Sequence, residues 1–503
     1  MTRSRLLTFV ALLSFALAAS VLGAAQNTNT AEDLAAQSGP RPPAVHQAQN
    51  PNVYKPEGKI ITPESDAAAP GYVHTNYHIF VPKGYPTASP QLLTNYQFAE
   101  TPASLGCVYK VGPNYPGCNP ATGRTNHPTG GWGAIVLVDA YDNPNAAADL
   151  AFFSSSFSLP AANFRKVYAN AAFGVFSSGG GTLKSSCLHA PPVNAGWALE
   201  EDLDIEWAHA MAPSAAIVLV EACSASFQDM AFAEVVANIV AQQYGGGDIS
   251  NSWTGPEGAY QLGPPSGLPV SGYDNVLYRW NICNAYPQCT NSLYITYFAS
   301  AGDHGWGPAW PSSSPWVVSA GGTTVERDST GNFLSESCWG NGIPAPTGFG
   351  SGGGPSKIEK WQSASIYNGP GPWANFQYGL FGAFGVPRDT PDIAFDADPA
   401  SGVFVYDSYS GGWFIVGGTS VSSPALAGIV NSATNAFGNA ALTFPSFYTP
   451  EENNYLYSQL DGYLTYSTNF YDVTTGTNGG PFGATPGYDE CTGLGSLRGK
   501  LGK

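Results

Sequence analysis

The sequence is poor in charge, and above all in positive charge. Charged residues make up 11% of the 503-residue chain, under half of the roughly 25% that is usual in soluble domains. The chain has 19 Lys and Arg against 36 Asp and Glu, a formal net charge of −17. We therefore expect no nucleic-acid partner, because binding to a polyphosphate needs a basic surface. Few cations also mean little self-repulsion in acid, which favours a protein that works at low pH.

Long apolar runs are absent after the first 25 residues. Residues 1–25 begin with Arg3 and Arg5, continue through an apolar stretch and end in small residues at Ala24 and Ala25. This order predicts a secretory signal peptide; the alternative, a membrane anchor, lacks the basic cluster that would follow it. We expect a mature form without membrane contact, exported to the extracellular space or the periplasm.

The chain has eight cysteines, which in an exported protein predict four disulfides. Their spacing is not that of a zinc site. Near neighbours in the sequence are expected to pair first, which leaves two longer links. The expected pairs are Cys107–Cys118, Cys283–Cys289, Cys187–Cys223 and Cys338–Cys491.

The composition changes near residue 100. Residues 26–99 are rich in Pro, Ala, Asn and Gln, which predicts an extended arm with one strand at Tyr77–Val81. Over residues 100–503, short apolar strands such as Ala134–Asp139 alternate with helical patterns such as Phe232–Ala241. This order predicts an α/β fold, a mostly parallel sheet with helices on both faces. Functional residues are then expected at the carboxyl ends of the strands.

A pair of carboxylates lies in the helical segment Gly196–Pro213. Glu200 and Asp204 stand four residues apart, so their side chains share one face of the helix. Two carboxyl groups held together cannot both ionise freely, so the pair shares a proton and can act as acid and base. The alternative is an exposed acidic helix face without chemistry.

A serine follows two glycines in the segment Ile415–Val430. The pattern predicts a strand end, a tight turn, and a helix that begins near Ser420 with Pro424 in its first turn. The dipole and free N–H groups of a helix start favour negative charge that develops beside a nucleophilic hydroxyl. The alternative is a serine that caps the helix without chemistry.

An aspartate follows the strand pattern Tyr294–Ala299. The sequence Ala301-Gly302-Asp303 places Asp303 at the carboxyl end of this strand, where sites of parallel sheets lie. An ordinary turn aspartate is the alternative.

Together these three segments resemble the sedolisin family of serine-carboxyl peptidases, relatives of subtilisin that use Glu in place of His. The family's Glu-x-x-x-Asp helix matches Glu200 and Asp204. Its Gly-Thr-Ser-x-x-x-Pro motif matches Ser420 and Pro424, and its Ala-Gly-Asp turn matches Asp303. The resemblance covers most of the chain after residue 100 and implies a subtilisin-like fold.

The resemblance implies a role for each matched residue. Ser420 is the nucleophile, Glu200 is its general base and later its acid, and Asp204 hydrogen-bonds and tunes Glu200. Asp303 lines the oxyanion hole beside the Ser420 backbone N–H, where a carboxyl group donates only when it is protonated.

The resemblance also implies one structural calcium ion near the carboxyl end. The matched ligands are the side chains of Asp472 and Asp489 and the carbonyl groups of Val473, Thr485 and Gly487. Hard oxygen ligands of these two kinds suit Ca²⁺. A cluster of Asx turns without a metal is the alternative.

The sequence departs from the family in three places. Gly417 and His304 stand where the family has Ser, and the Pro-rich arm stands in place of a large propeptide. The resulting prediction is a secreted, monomeric, acid-active serine endopeptidase that cleaves polypeptides. A catalytically silent sedolisin-like module that binds extracellular protein or polysaccharide is the alternative. A glycosidase is disfavoured, since two carboxylates on one helix face cannot easily flank a sugar ring.

Overall fold

Runs of aliphatic residues form the parallel strands of a large central sheet. A computed structural model describes residues 50–178, 181–258, 273–277, 294–343, 348–360, 387–433, 452–453, 456–457, 463–481 and 483–500. All of these residues lie in one compact unit. The predicted signal peptide, residues 1–25, and the predicted pair Cys283–Cys289 lie outside the described residues.

The described strands and helices are numbered in chain order. Strands β1 to β20 are Gly58–Ile61, His74–Thr75, His78–Pro82, Ala134–Ala140, Asn163–Ala169, Val175–Ser178, Gly181–Lys184, Ala216–Ala222, Gly246–Asn251, Trp253–Thr254, Tyr294–Ser300, Val318–Arg327, Phe333–Cys338, Gly354–Lys360, Pro387–Thr390, Ile393–Asp396, Val403–Asp407, Gly412–Gly417, Phe470–Tyr471 and Ser496–Leu497. Helices α1 to α7 are Leu92–Asn95, Pro102–Val108, Ala146–Ser156, Ala195–Met211, Phe227–Gln243, Thr419–Ser432 and Tyr463–Asn469. None of these helices has the length and hydropathy that a membrane crossing needs.

The central sheet has the order β19-β20-β16-β12-β11-β9-β4-β8-β5, with β13 paired to β12. Its pairs are parallel except β12–β13 and β19–β20. Alternate residues of each strand face opposite sides. In β4, Ile135 and Leu137 pack in the cluster that contains α4 and α6, whereas Val136 and Val138 pack in the cluster that contains α5. The predicted α/β fold, a mostly parallel sheet with helices on both faces, is confirmed.

Residues 50–99 supply two strands, β1 and β3, to a second sheet. The antiparallel order is β1-β3-β18-β17, and β3 is the strand predicted at Tyr77–Val81. Strand β18 pairs with β3 through Val416 and Gly417 and leads directly into helix α6. This pairing brings the N-terminal part of the chain close to Ser420.

Three disulfides follow the predicted pairing, namely Cys107–Cys118, Cys187–Cys223 and Cys338–Cys491. The last one ties β13 to the C-terminal loops that carry the predicted calcium ligands.

Candidate active site

Helix α4 carries its predicted catalytic carboxyls into the protein interior. The helix begins where the Asn194 side chain accepts hydrogen bonds from two N–H groups of the first turn. Glu200 and Asp204 are both fully buried, so the alternative of an exposed acidic face is wrong. Asp139, which is also fully buried in strand β4, acts electrostatically on both of them.

These three carboxyl groups favour the protonated form over the ionised form. Burial is the main cause that raises the pKa of Glu200 well above its ordinary value; the Asp204 and Asp139 carboxyls raise it further, and Ser420 opposes the rise. Burial raises the pKa of Asp204 as well, and that of Asp139 to about 8. Within the described part of the chain, the Asp139 carboxyl has no hydrogen-bond partner, and the Glu200 carboxyl has the Ser420 hydroxyl beside it without a hydrogen bond of ordinary geometry. Such a cluster can pass protons between neighbouring carboxyls in acid.

Ser420 lies in the first turn of helix α6, as predicted. Its hydroxyl donates to the Ser252 carbonyl at 3.0 Å and accepts from the Asn76 N–H at 3.2 Å. Its backbone N–H donates to the Asn76 carbonyl at 3.0 Å. Gly418 precedes the helix with a φ of +126°, and a side chain there would collide with the Asn76 carbonyl and with Asp303. The turn therefore requires glycine.

The sequence pattern predicts Pro424 in the first turn of α6. The structure instead places it in the second turn. Since proline has no N–H, it leaves the Ser420 carbonyl without its partner in the helix. The Ser252 hydroxyl lies 3.2 Å from this carbonyl and 2.6 Å from Asp204 Oδ1. One hydroxyl hydrogen cannot serve both acceptors, but a protonated Asp204 can donate to Ser252 while Ser252 donates to the carbonyl. Ser252 thereby connects Asp204 to the helix of Ser420.

Asp303 reaches the same site from the end of β11. Its Oδ1 atom accepts from the N–H and the hydroxyl of Thr419, both at 2.8 Å. Its Oδ2 atom lies 3.5 Å from His78 Nε2. Burial, then the nearby Asp66 carboxylate, raises the pKa of Asp303 well above its ordinary value, against the two bonds from Thr419. The carboxyl thus favours its protonated form, which is the form that can donate.

Known proteins match the same part of the chain. Kumamolisin from Bacillus sp. (strain MN-32) is 30% identical over 316 residues, 59% of this chain and 49% of that protein. Sedolisin from Pseudomonas sp. (strain 101) is 32% identical over 194 residues, 38% of this chain and 28% of that protein. Xanthomonalisin from Xanthomonas sp. (strain T-22) is 30% identical over 197 residues, 37% of this chain and 21% of that protein. The chain is similar to these sedolisin-family proteins over part of its length.

A solved structure supports the fold of this chain. Pseudomonas sedolisin, described as a serine-carboxyl proteinase complexed with two molecules of pseudo-iodotyrostatin, aligns with a TM-score of 0.54 at 23% identity. The alignment covers 82% of this chain and 96% of that one. The fold is therefore subtilisin-like, as expected. No protein-family model matches the sequence, and the chain spans about half the length of kumamolisin and less of the other two relatives.

The fold brings together the four residues predicted to be catalytic, and it places beside them two residues that the sequence analysis did not single out, Asp139 and Asn76. Asp139 could have been found, because it lies near the carboxyl end of a predicted buried strand. Asn76 carries no local signal, since it lies 344 residues before Ser420 and meets it through the pairings of the flanking strands, β2 with β10 and β3 with β18.

The predicted calcium ligands lie in loops near Cys491. Asp472 accepts from the Gly487 N–H at 3.0 Å and from the Tyr466 hydroxyl at 3.2 Å. Asp489 Oδ1 accepts from the N–H groups of Cys491 and Thr492 at 2.9 and 2.8 Å. Burial, and then the charges of Asp472 and Asp489, raise the pKa of Tyr466, so both carboxyls lie near this tyrosine. Two carboxylates, with the Gly487 carbonyl 3.5 Å from the Tyr466 hydroxyl, make a donor set that fits a hard cation.

A second acidic group was not predicted. Asp149, Asp202 and Asp407 are buried, and each offers a carboxylate oxygen within 4.8 Å of the others. Burial is the main cause that raises the pKa of Asp202 well above its ordinary value. Protonation can therefore account for this cluster without a metal.

Proposed function

We propose that this chain is a secreted, acid-active serine endopeptidase of the serine-carboxyl type, with polypeptides as its substrates. The proposal is carried by one observation: the hydroxyl of Ser420, the buried carboxyls of Glu200 and Asp204, and the carboxyl of Asp303 converge from three distant segments. Acyl transfer requires a nucleophile, a base that takes its proton, and donors that stabilise the oxyanion. Ser420 would be the nucleophile, the Glu200 and Asp204 pair the base, and the Ser420 N–H and Asp303 the two donors.

In the proposed reaction, the Ser420 oxygen attacks the carbonyl carbon of the peptide bond, and Glu200 takes the hydroxyl proton. Asp204 holds and tunes Glu200. The negative charge on the carbonyl oxygen is stabilised by the Ser420 backbone N–H and by protonated Asp303. Glu200 then returns the proton to the leaving amine, and water hydrolyses the acyl ester by the same route in reverse.

The buried carboxyls support activity in acid. A carboxylate base operates at a lower pH than histidine, and Asp303 donates only when it is protonated. Activity should end on the acid side when the Glu200 and Asp204 pair is fully protonated, because no base then remains for Ser420. We expect an optimum at about pH 3–5.

We further propose one structural calcium ion held by Asp472, Asp489 and the carbonyls of Val473, Thr485 and Gly487. Bound there, calcium would supply positive charge that fixes loops; it has no step in the reaction. The domain division also remains our proposal: a signal peptide at 1–25, an arm at 26–99 and a peptidase domain at 100–503, in a monomer without nucleic-acid or membrane partners.

The test is digestion of denatured protein by the purified chain across pH 2–8, with Ser420→Ala as the control. We expect cleavage in acid and a loss of several orders of magnitude in the variant, with an unchanged fold by circular dichroism. If neither protein cleaves at any pH, the chain is the alternative, a silent module that binds extracellular protein or polysaccharide.

A further inference from the structure

An extended piece of the chain itself lies along the proposed active site, at residues 74–77. His74 and Thr75 form strand β2, which pairs antiparallel with Trp253–Thr254 of strand β10. Proteins bind extended peptides in this way, by adding them as a strand to an exposed edge. Residues 74–77 therefore show how the site holds a polypeptide, and they stand here for a bound substrate.

The peptide bond that follows Asn76 occupies the place of a bond to be cut. The Asn76 carbonyl oxygen accepts at 3.0 Å from the Ser420 backbone N–H, one of the two proposed oxyanion donors. A side chain on Gly418 would collide with this oxygen and with Asp303 Oδ2, so the carbonyl and the other proposed donor border the same space. In a substrate, the residue at the position of Asn76 would thus lie immediately before the cleaved bond.

The Asn76 side chain enters a pocket that offers one acceptor and one donor. Its NH₂ group donates to the Ser300 hydroxyl oxygen at 2.7 Å, and its carbonyl oxygen accepts from the Thr254 hydroxyl at 2.8 Å. Ser300 ends strand β11 and Thr254 ends strand β10, so rigid elements fix the positions of both hydroxyls. Asn76 and Ser300 are fully buried, and Thr254 is 1% exposed. The pocket therefore matches both polar ends of a carboxamide.

This match selects among side chains by polarity and by length. Leucine has nearly the shape of asparagine but no polar group, so it would take the carboxamide's hydrogen bonds from two buried hydroxyls. Glutamine is longer by one methylene group, so its carboxamide cannot keep both hydrogen bonds while the backbone stays at Ser420. Aspartate, when ionised, would bury a charge in the pocket. Asparagine is thus the side chain that fits best.

We propose that Ser300 and Thr254 make this chain an asparagine-selective endopeptidase, which cuts polypeptides on the carboxyl side of Asn. The selectivity rests on the proposed function, since it names the substrate of the same site. Ser300 and Thr254 are specificity-determining residues: they contact the substrate side chain and take no part in the transfer of the Ser420 proton.

Cleavage of matched peptides by the full chain tests the selectivity. The probe is a quenched fluorescent peptide with the sequence of residues 71–80, and its analogues carry Leu, Gln or Asp at the position of Asn76. At pH 5, kcat/KM for the Leu and Gln peptides should be at least about 100-fold lower than for the Asn peptide. The Asp peptide should be cut about tenfold more slowly, because most of its aspartate is ionised there. Mass spectrometry identifies the bond that is cut.

Variants of the two hydroxyls should change the selectivity rather than the overall rate. Thr254→Val keeps the shape of the side chain without its donor, and Ser300→Ala removes the acceptor. Each should lower kcat/KM for the Asn peptide about tenfold and leave the slow cleavage of the Leu peptide unchanged or faster. Ser154→Ala is the matched control and should keep the wild-type selectivity. Ser154 is also buried, but its hydroxyl donates to the Leu150 carbonyl within helix α3.

A double-mutant cycle tests the pocket without catalysis. In the Ser420→Ala chain, the Tm is measured for Asn76→Ala, for Thr254→Val and for both changes together. Because the two side chains share a hydrogen bond in the structure, the double variant should lower the Tm by less than the two single variants added. Asn76→Ala combined with Ser154→Ala should be additive, since those residues have no hydrogen bond to each other.

The outcomes separate the selectivity from the proposed function. Cleavage of the Leu or Gln peptide as fast as the Asn peptide overturns the selectivity and supports the peptidase. Additive effects of Asn76→Ala and Thr254→Val overturn the pocket assignment. If no peptide is cut but the cycle shows coupling, the pocket recognises a carboxamide and the proposed peptidase is contradicted.

Discussion

Around helix α4, few donors reach the buried carboxyls: Asp139 has no hydrogen-bond partner in the described part of the chain, and Glu200 has only the nearby Ser420 hydroxyl there. The equally buried Asp489 has several donors. Asp489 accepts from the N–H groups of Thr485, Cys491 and Thr492, and from the Thr492 hydroxyl. Hydrogen-bond donors stabilise the ionised carboxylate, and their absence leaves burial to favour the protonated acid.

The difference indicates two uses of the same side-chain chemistry. At Glu200 the surroundings favour a proton, as an acid–base group in acid requires. At Asp489 the donors favour charge, yet burial still raises the pKa to about 7. A cation beside Asp489 would favour the ionised form further. The first group is thus suited to carry a proton, and the second to hold an ion.

The largest effect should come from removing the base. Glu200→Gln keeps the shape of the side chain, but an amide cannot take the Ser420 proton, so kcat should fall about 10⁴-fold or more. The measurement is initial-rate cleavage of a peptide at the pH optimum. Glu234→Gln is the matched control, because Glu234 is also fully buried with both oxygens unpaired. A comparable loss in the control would show that the effect is structural.

The next effect concerns the carboxyl of Asp303. Asp303→Ala removes a proposed oxyanion donor and should lower kcat about 10²–10³-fold. Asp303→Asn keeps a donor that does not titrate, so it should retain part of the activity and extend it towards neutral pH. Full pH–rate profiles of the wild type, Asp303→Ala and Asp303→Asn test whether Asp303 acts as a protonated donor. Equal rates for the wild type and the alanine variant would remove Asp303 from the mechanism.

The sequence alone sufficed for the fold class and for the turn that leads into the helix of Ser420. Strand β4 is a continuous aliphatic run, and the glycines before Ser420 allow one kind of turn into a helix. These are local signals, which depend on neighbouring residues and on the period of the pattern.

The environment of helix α4 was beyond the reach of the sequence. Its pattern predicts one apolar side, but residues from Trp197 to Met211 are all buried. Strand β17 covers part of its polar side, where the Trp207 indole donates to the Phe404 carbonyl and Glu206 accepts from the Tyr406 N–H. Such contacts join segments 200 residues apart, and no local pattern records them.

The calcium proposal predicts a change in stability rather than in rate. Ligand that binds the folded state at a hundredfold excess over Kd stabilises it by about 2.7 kcal/mol. EDTA should therefore lower the Tm by several degrees at pH 8. Without a cation, burial disfavours ionised Asp489, so the metal-free fold loses stability as the pH rises through about 7. The EDTA effect should accordingly grow from pH 5 to pH 8.

Differential scanning calorimetry with and without chelator measures this effect. Asp489→Ala should melt low and ignore EDTA, while Glu57→Ala, which alters an exposed acid, should respond like the wild type. A chelator that leaves the wild-type Tm unchanged at pH 8 would contradict the calcium site without touching the peptidase.

The smallest effect should come from Ser252, which is a positioning residue. Its hydroxyl is bonded to Asp204 and lowers the pKa of that carboxyl. Ser252→Ala should reduce kcat roughly tenfold with KM unchanged, in keeping with the loss of one hydrogen bond. Because the Asp204 pKa then rises, the acid limb of the pH–rate profile should move to higher pH, and Ser252→Thr should restore it. Ser250→Ala is the control. It removes a hydrogen bond to Ser423 in helix α6 but does not touch the carboxyl pair. An acid limb that stays in place would mean that Ser252 acts only by packing.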